Sequence, residues 1–387
     1  MWSYVPLEKA ANIYDGLRKP VNSKERAKRI EGKSNEFLFP YYGAAGQVGY
    51  IDDYLTDGEY VLLGEDGAPF LNPFASKAYV ISGKSWVNNH AHILQSKSNN
   101  KFLCYYLNYF DYNGYVSGTT RLKLTQAQMK KIKIPDISED EQRRIVSRIE
   151  ELFSELDKGV ETLQTIKEQL AVYRQAVLKE ALNGIKGQPY TVKDVCKEIK
   201  VGIVIKPSQY YTDEQVGMKA FRSANVREFH VEDKNWVYLS TAGHQANARS
   251  IVHTGDILIV RSGYPGTACV VPEQFDGCNA IDILIAVPNQ DLVLPEFLCA
   301  YTNSPLGKKF VNEKKRGVGQ KHFNVSGYSK MLISVPSLDK QEKIVKKIAS
   351  RLSVCDSIEQ TVNTTLAQAE AMRQSILKKA FEGELCK

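Results

Sequence analysis

No apolar run in the chain approaches the roughly 18 residues that suggest a membrane span, which argues against a transmembrane protein. The opening residues MWSYVPLEKA carry Glu8 and no apolar stretch, which predicts no signal peptide. Seven cysteines are scattered, and no two form a CxxC pair. That spacing argues against a disulfide framework and fits free thiols in a reducing cytoplasm. Neither sign of charge dominates. A formal +7 over 387 residues permits a nucleic-acid partner without requiring one. The remaining balance, 43% hydrophobic and 25% charged, is that of a soluble globular chain long enough for two or three domains.

Catalytic signatures are also missing. There is no Walker A loop and no Asn/Asp-Pro-Pro-aromatic tetrapeptide of the kind amino-methyltransferases use. Residues 43–49 are glycine-rich, but the order is GxxGxxG and strand-like Tyr50-Ile51 follows, so a dinucleotide loop is disfavoured. Asn72-Pro73-Phe74 reads as a plain turn, and Val231-Glu232-Asp233-Lys234 as a solvated one. His90 and His92 have no carboxylate or cysteine set at metal spacing, so loop polar residues are the expectation for both.

What the chain has is a repeat. Residues 142–184 recur without a gap as residues 341–383, 199 positions later, with about 15 of the 43 aligned positions identical. Ile145-Val146 matches Ile344-Val345, Asp157 matches Asp356, Arg174-Gln175 matches Arg373-Gln374, and Gly184 matches Gly383. Each copy reads as one long amphipathic helix. In the first, apolar residues recur at Ile145, Ile149, Leu152, Leu156, Val160, Leu163, Ile166, Leu170, Tyr173 and Val177, close to a heptad seam. In the second the stripe is Ile344, Ile348, Leu352, Cys355, Ile358, Val362, Leu366, Ala369, Met372 and Ile376. Ser138 with Glu141 is a capping box, and Asn183-Gly184 is a stop. A helix of this length is a rod of about 65 Å. It needs a partner of similar length to cover its stripe, and the second copy supplies one.

The helices divide the chain into four segments: 1–135, 136–187, 188–336 and 337–387. The two globular segments read as mixed α and β, with strands and turn signals prevailing in the first. Strands are expected over 60–63 and 78–81, then over 201–205, 236–239, 256–260 and 281–287, with a helix over Asn100–Tyr109. The segments resemble each other in order. Residues 58–64 answer 255–261, Phe102-Leu103-Cys104 answers Phe297-Leu298-Cys299, and Ile134-Pro135 answers Val335-Pro336. The fold class is α+β, a globular domain plus long helix, twice. Diverging loops on a shared scaffold suggest one task aimed at two targets.

Nucleic-acid binding leaves the better traces. Arg18-Lys19-Pro20 opens a basic run through Lys24, Arg26, Lys28, Arg29 and Lys33, followed by Tyr41-Tyr42-Gly43 and Gln47. Lys84 and the stretch with Arg121 and Lys123 come later. The second segment has Lys206, Arg222, Arg261 with Tyr264, and Lys315-Arg316 leading to Lys321, His322 and Asn324. Cations interleaved with aromatic, amide and small residues suit phosphate and base-edge contacts. A lone charge run is more often a solvated face. The recurrence of a basic, glycine-containing stretch at the same place in both units, 118–123 and 317–324, is what favours DNA.

With these landmarks the whole chain resembles the specificity subunit of a type I restriction–modification system. The resemblance rests on the doubled domain-plus-helix architecture and on several local patterns. Lys131-Ile132-Lys133-Ile134-Pro135 leads to Glu141-Gln142-Arg143-Arg144-Ile145-Val146, and Ile333-Ser334-Val335-Pro336 leads to Lys340-Gln341-Glu342-Lys343-Ile344-Val345. The helix tails at 175–179 and 374–378, Gly16-Leu17-Arg18-Lys19-Pro20, and residues 40–46 fit as well. The second segment carries the variant Ser223-Ala224-Asn225-Val226, so base contacts do not transfer between domains.

The resemblance implies two target-recognition domains joined by an intramolecular antiparallel coiled coil in pseudo-twofold relation, each domain reading half of a bipartite asymmetric site in double-stranded DNA. It implies a non-catalytic subunit in a prokaryotic cytoplasm, with two methyltransferase subunits bringing S-adenosylmethionine and restriction–translocase subunits bringing ATP and magnesium. No cofactor is expected on this chain. The expected DNA-facing residues are Arg18, Lys19, Tyr41, Tyr42, Gln47, Lys84, Arg121 and Lys123, then Arg222, Arg261, Tyr264, Lys315, Arg316, Lys321, His322 and Asn324. The expected seam is Ile149, Leu156, Leu163 and Leu170 against Ile348, Cys355, Val362 and Ala369. The competing reading is a coiled-coil scaffold whose heads bind proteins without sequence-specific DNA recognition.

Overall fold

The computed structural model describes residues 2–314 and 323–385. The chain forms two compact units, Met1–Gln164 with Val362–Lys387, and Thr165–Thr361, so each long helix contributes one half to each unit.

In the first unit, β1 (Ser3–Pro6) pairs antiparallel with β10 (Lys133–Asp136) and ties the start of the domain to its end. Helix α1 (Leu7–Ala10) leads into an antiparallel sheet of β2 (Ala11–Ile13), β9 (Ala91–Ser96), β6 (Tyr60–Gly64) and β7 (Ala78–Ile81), in that order. A second sheet orders β4 (Gly46–Ile51), β3 (Phe39–Gly43), β8 (Lys84–Val87) and β5 (Thr56–Asp57), with helix α2 (Ser23–Ile30) against it. Strand β6 explains why this region reads as an apolar run rather than an alternation. Val61 and Leu63 point into the main core, while Leu62 points into a smaller core with Ile81, Val87 and Ile93. Helix α3 (Asn100–Tyr109) lies on the main-core face, started by the Asn99 side chain, which accepts from the Phe102 N–H. Short α4 (Gln126–Met129) follows a Thr125 cap.

The second unit repeats the plan. β11 (Gln188–Thr191) pairs with β20 (Leu332–Val335). The main sheet orders β12 (Cys196–Val201), β19 (Ile283–Pro288), β16 (Ile257–Val260) and β17 (Ala268–Val270). The other orders β13 (Tyr211–Thr212), β15 (Val237–Leu239), β14 (Met218–Phe221) and β18 (Asn279–Ala280), with α6 (Thr241–Ala246) nearby. Ile257 and Ile259 face one core and Leu258 and Val260 the other, as Val61 and Leu63 against Leu62 do in β6. The expected match of 58–64 with 255–261 is thus corrected by one residue: Val61 answers Ile257, and Glu65 answers Arg261. Helix α7 (Pro295–Asn303) is the counterpart of α3, and α8 (Pro305–Lys314) and α9 (Val325–Ser329) follow. The strand expected over 201–205 is corrected: β12 ends at Val201, Ile205 is exposed, and Lys206 turns left-handed at φ 42°.

The long helices are α5 (Glu139–Leu182) and α10 (Leu338–Phe381), 44 residues each. The Ser138 hydroxyl accepts the Glu141 N–H at 3.3 Å, and Gly184 leaves the helix at φ 67°. The glutamine that opens both copies of the repeat has a structural reason. Gln341 is fully buried, donating to the Pro336 and Leu292 carbonyls and accepting from the Leu294 N–H. Gln142 donates likewise to the Ile137 carbonyl at 3.2 Å.

Within each unit the helix halves run antiparallel. In the first, Ile145, Val146 and Ile149 share a core with Ile376, Leu377, Ala380 and Phe381, and Asp157 pairs with Arg373, whose guanidinium lies 4.8 Å from the Phe153 ring centre. In the second, Glu180 pairs with Lys347 at 3.0 Å and Arg351 at 2.6 Å, and Arg174 with Asp356 at 2.7 Å and Glu359 at 2.8 Å. Of the expected seam, Ile149, Leu170, Ile348, Cys355, Val362 and Ala369 are buried, and Leu156 and Leu163 are half-buried. Tyr173, Ile358 and Met372 keep the period but are exposed. Arg351 covers the Tyr173 ring and donates to its hydroxyl at 3.0 Å, so this position is an amphipathic edge rather than core.

Candidate nucleic-acid interface

The first unit gathers its charged side chains where β6 ends and β9 begins. Glu65 and Asp66 follow β6, Asp15 follows β2, and the return loop to α4 lies alongside through backbone bridges from Lys123 to Asp66 and Ser117. Leu124 N–H donates to the Glu65 carbonyl at 2.7 Å, and Gly67 N–H to the Leu122 carbonyl at 3.0 Å. Gly118 makes the hairpin possible: at φ 103°, a Cβ there would sit 2.4 Å from the Arg121 carbonyl oxygen. The loop is thus fixed by its backbone, and Arg121 and Lys123 project from it. Arg121 pairs with Asp66 at 2.6 Å and Lys123 with Glu65 at 3.2 Å, and both stay largely exposed. His90 shares the same Asp66 oxygen at 2.7 Å.

Beneath them lies a buried set. His92 is 1% exposed on β9, not a loop residue as expected from sequence. Its Nδ1 faces Asp15 at 2.7 Å and its Nε2 faces the Leu124 carbonyl at 3.0 Å, so both ring nitrogens have a partner. Burial alone would raise the Asp15 carboxyl. Hydrogen bonds and charge from His92, with Gln126 and the Ile93 N–H, outweigh it and hold the group below its ordinary value. Glu65 behaves alike, burial being outweighed by Arg18, His92 and Lys123. Two lowered carboxylates stabilise the fold fully above the ordinary carboxylate range, and that contribution is lost as pH falls through their lowered values. Melting of the protein should therefore fall steeply below about pH 4, and Asp15→Asn should lower stability near neutrality while flattening that acid decline. An unchanged acid profile in the variant would remove Asp15 from this account.

The basic residues expected from sequence to face DNA separate into two kinds. Arg18 is held inward, pairing with Glu65 and donating to the Ala91 carbonyl at 3.2 Å. Tyr41 is 2% exposed, its hydroxyl bound to the Val21 backbone, and Arg26 stacks on its ring at 4.6 Å. Arg29 stacks on Trp86 at 4.9 Å and pairs with Asp52 at 2.6 Å. These side chains are engaged within the domain, holding the sheets, α2 and the loop after β6 together. Lys19, Gln47 and Lys84 are exposed, with Lys24 and Lys28 on the outer side of α2, and Tyr42 is half-buried. The basic run from Arg18 to Lys33 gave no sign of which cations turn inward, because apart from Asp15 beside Arg18 the rings and carboxylates that hold them, Tyr41, Asp52, Glu65 and Trp86, come from other elements of the domain.

The second unit repeats the placement with different chemistry. The Phe323 N–H donates to the Arg261 carbonyl at 3.1 Å, the counterpart of Leu124 on Glu65, so the return loops end at the same place in both units. Arg261 pairs with Asp282 at 2.5 Å and donates to the Phe323 carbonyl, and is only 16% exposed. Arg222 is half-buried and donates to the Asn235 carbonyl at 2.7 Å. Asn324 caps α9 by accepting the Gly327 N–H at 2.8 Å, as Thr125 caps α4, so its side chain serves the helix. Tyr264, in contrast, is 85% exposed on the loop after β16. Lys315, Arg316, Lys321 and His322 lie outside the described residues. Among the described residues no group of three or more His, Cys, Asp or Glu could hold a metal ion, and no helix is long and apolar enough to cross a membrane.

The model of the type I restriction modification DNA specificity domain matches the chain twice, over residues 11–170 and 188–368. The chain belongs to this family. A Haemophilus influenzae protein assigned as a type I restriction enzyme specificity subunit is 28% identical, covering 94% of this chain and 91% of the relative. The EcoBI specificity subunit of Escherichia coli is 24% identical over 99% of this chain and 86% of its own length. A solved chain from work on complex assembly and conformational transition of the type I R-M system shares the fold. It superposes with a TM-score of 0.71 at 16% identity, over 99% of this chain and 98% of that one. The two family matches coincide with the two domain-plus-helix repeats.

Proposed function

We propose that the chain is the DNA sequence-specificity subunit of a type I restriction–modification complex. Each recognition domain binds one half of a bipartite asymmetric duplex target, and the long helices set the half-site spacing and carry the methyltransferase subunits. Two methyltransferase subunits would hold S-adenosylmethionine, and restriction–translocase subunits would hold ATP and magnesium. This chain itself reads DNA and carries out no chemical step. The observation that carries the reading is the pair of return loops. They end at equivalent backbone positions, Leu124 on Glu65 and Phe323 on Arg261, yet differ in side chains. That is what two readers of different half-sites require. A protein-binding scaffold explains the helices but not the cations that the first loop presents.

The reading predicts a salt signature. In the assembled methyltransferase complex, Arg121→Ala with Lys123→Ala should weaken duplex binding roughly tenfold and lower the slope of log K against log salt by about 2. Gel-shift titrations over a salt series measure both. Unchanged affinity and slope at moderate salt would show that the first return loop does not meet phosphate.

A further inference from the structure

The first unit leaves open a niche whose counterpart within the second unit is filled by that unit's own residues. It is a groove of about 590 Å³ walled by Phe74, Tyr105, Phe153, Asp157, Arg373 and Gln374. The 199-residue repeat identifies its counterpart in the other unit, since Phe153 corresponds to Leu352, Gln374 to Gln175 and Leu377 to Leu178. There the space is occupied. Phe229 packs on the cluster of Val177, Leu178, Ala300, Ile348 and Leu352, and its neighbour Glu228 accepts from Gln175 at 3.3 Å and pairs with Lys308. Phe229 sits there with a left-handed backbone, φ 68°, a conformation rare for an aromatic residue. The surroundings hold it in that conformation, with the ring seated in the niche.

Two further observations separate the niches. Asn303 and Asn108 are counterparts that clamp the strands beside α7 and α3, binding the backbone of Ala268 and Ala78 respectively. Asn303 is fully buried, with the Phe229 N–H donating to the same Ala268 carbonyl, whereas Asn108 is half-buried and lines the open groove. The walls also differ in charge. Glu150, Glu161 and Glu370 stand where the filled niche has Ala349, Gln360 and Ala171, and Lys158 stands where it has Ser357.

We propose that the groove of the first unit is a docking site for an aromatic side chain with a basic neighbour, presented on an extended segment of a partner protein. The ring takes the place that Phe229 takes in the second unit, between Phe153 and the exposed Phe74, and the basic neighbour meets Glu370 together with Glu150, whose Oε1 pairs with Lys101 at 2.6 Å. The proposal rests on the reading of the chain as a subunit that works with protein partners, but it is independent of DNA recognition.

The test uses the full-length chain and a fluorescent acetyl-Gly-Arg-Phe-Lys-Gly-amide probe followed by anisotropy. Saturable binding is expected, falling at least about tenfold for the probe with Ala in place of Phe. The same loss is expected for Ser154→Trp, which plugs the groove from an exposed helix position. Phe74→Ala, on a surface loop, should weaken binding without shifting the melting temperature. Duplex binding of the complex assembled with the unaltered chain is measured alongside, which keeps a failed niche distinct from a failed DNA reading. No saturable binding at millimolar probe, equal binding of the Ala probe, or binding indifferent to Ser154→Trp would overturn the proposal. So would a change in self-association of Ser154→Trp in place of lost probe binding, since the occupant would then be a second copy of the chain.

Discussion

Phe381→Ala should destabilise the first unit by about 3–5 kcal/mol, the range for emptying a buried aromatic site. Phe381 is the last residue of α10, and three aromatic residues of the domain lie against its ring. Its centroid is 5.1 Å from that of Tyr106, 5.4 Å from Tyr109 in a stacked pair, and 5.5 Å from Phe102. Ala380 and Leu377, one turn back, belong to the same core. The domain helix α3 and the end of α10 are therefore one packed body, separated by more than two hundred residues of sequence. Loss of the ring removes apolar burial and the edge-to-face pairings together, and neighbours held by their own backbone contacts collapse only partly into the space. Urea unfolding followed by hydrogen exchange should show protection lost along Asn100–Tyr109 and residues 376–381 first, with β16 and β19 of the second unit little affected. Phe381→Leu should retain more than half of the stability. A loss under about 1 kcal/mol for Phe381→Ala would mean that the end of α10 is not seated on the first domain.

Asn303→Ala is the second large effect, expected at about 1–3 kcal/mol, because it leaves the buried Ala268 N–H unpaired. Its amide oxygen accepts the Ala268 N–H at 3.0 Å, and its amide nitrogen donates to the Ala268 carbonyl at 2.8 Å. Asn303 and Ala268 are both fully buried. The Ala268 carbonyl keeps a partner in the Phe229 N–H, so the orphaned donor is the larger part of the cost. The comparison with Asn108→Ala tests the reasoning. Asn108 makes the same clamp, accepting from Ala78 and Lys77 and donating to the Ala78 carbonyl at 2.8 Å. It stands at an open groove where water replaces the lost amide, so its removal should cost less than that of Asn303. Chemical denaturation of the two variants side by side measures the difference. Equal losses would contradict the assignment of the first niche as open and the second as filled.

Much of the scaffold was legible because its signals are local. Ser138, the acidic first turn, and Gly184 delimit α5 to within three residues, and α3 falls where its apolar crowding put it. The helix repeat was legible because the same seam had to be covered twice. Burial along that seam was only partly legible: Tyr173, Ile358 and Met372 satisfy the period, but a period marks a stripe and does not say where a neighbour lies over it. The site was legible by loop and not by residue. The first return loop is a bridged hairpin, and the second lies largely outside the described residues; Arg18, Tyr41 and Arg261 turn inward toward Glu65, Val21 and Asp282, partners 20 or more positions away. Asn324 looked like a base reader and is a helix cap, a role an Asn before a short helix fills by satisfying an otherwise free N–H. His92 carried no spacing signal at all, because its partners Asp15 and Leu124 come from opposite ends of the domain.

The most direct measurement is a map of methylated positions in DNA from cells carrying this chain with its methyltransferase subunit. The account predicts one asymmetric motif of two fixed blocks separated by a spacer of indifferent sequence. Replacing residues 188–336 by the matching segment of another family member should change one block and leave the other intact. A continuous motif, or a swap that rewrites both blocks at once, would contradict the claim that each unit reads its own half of the target.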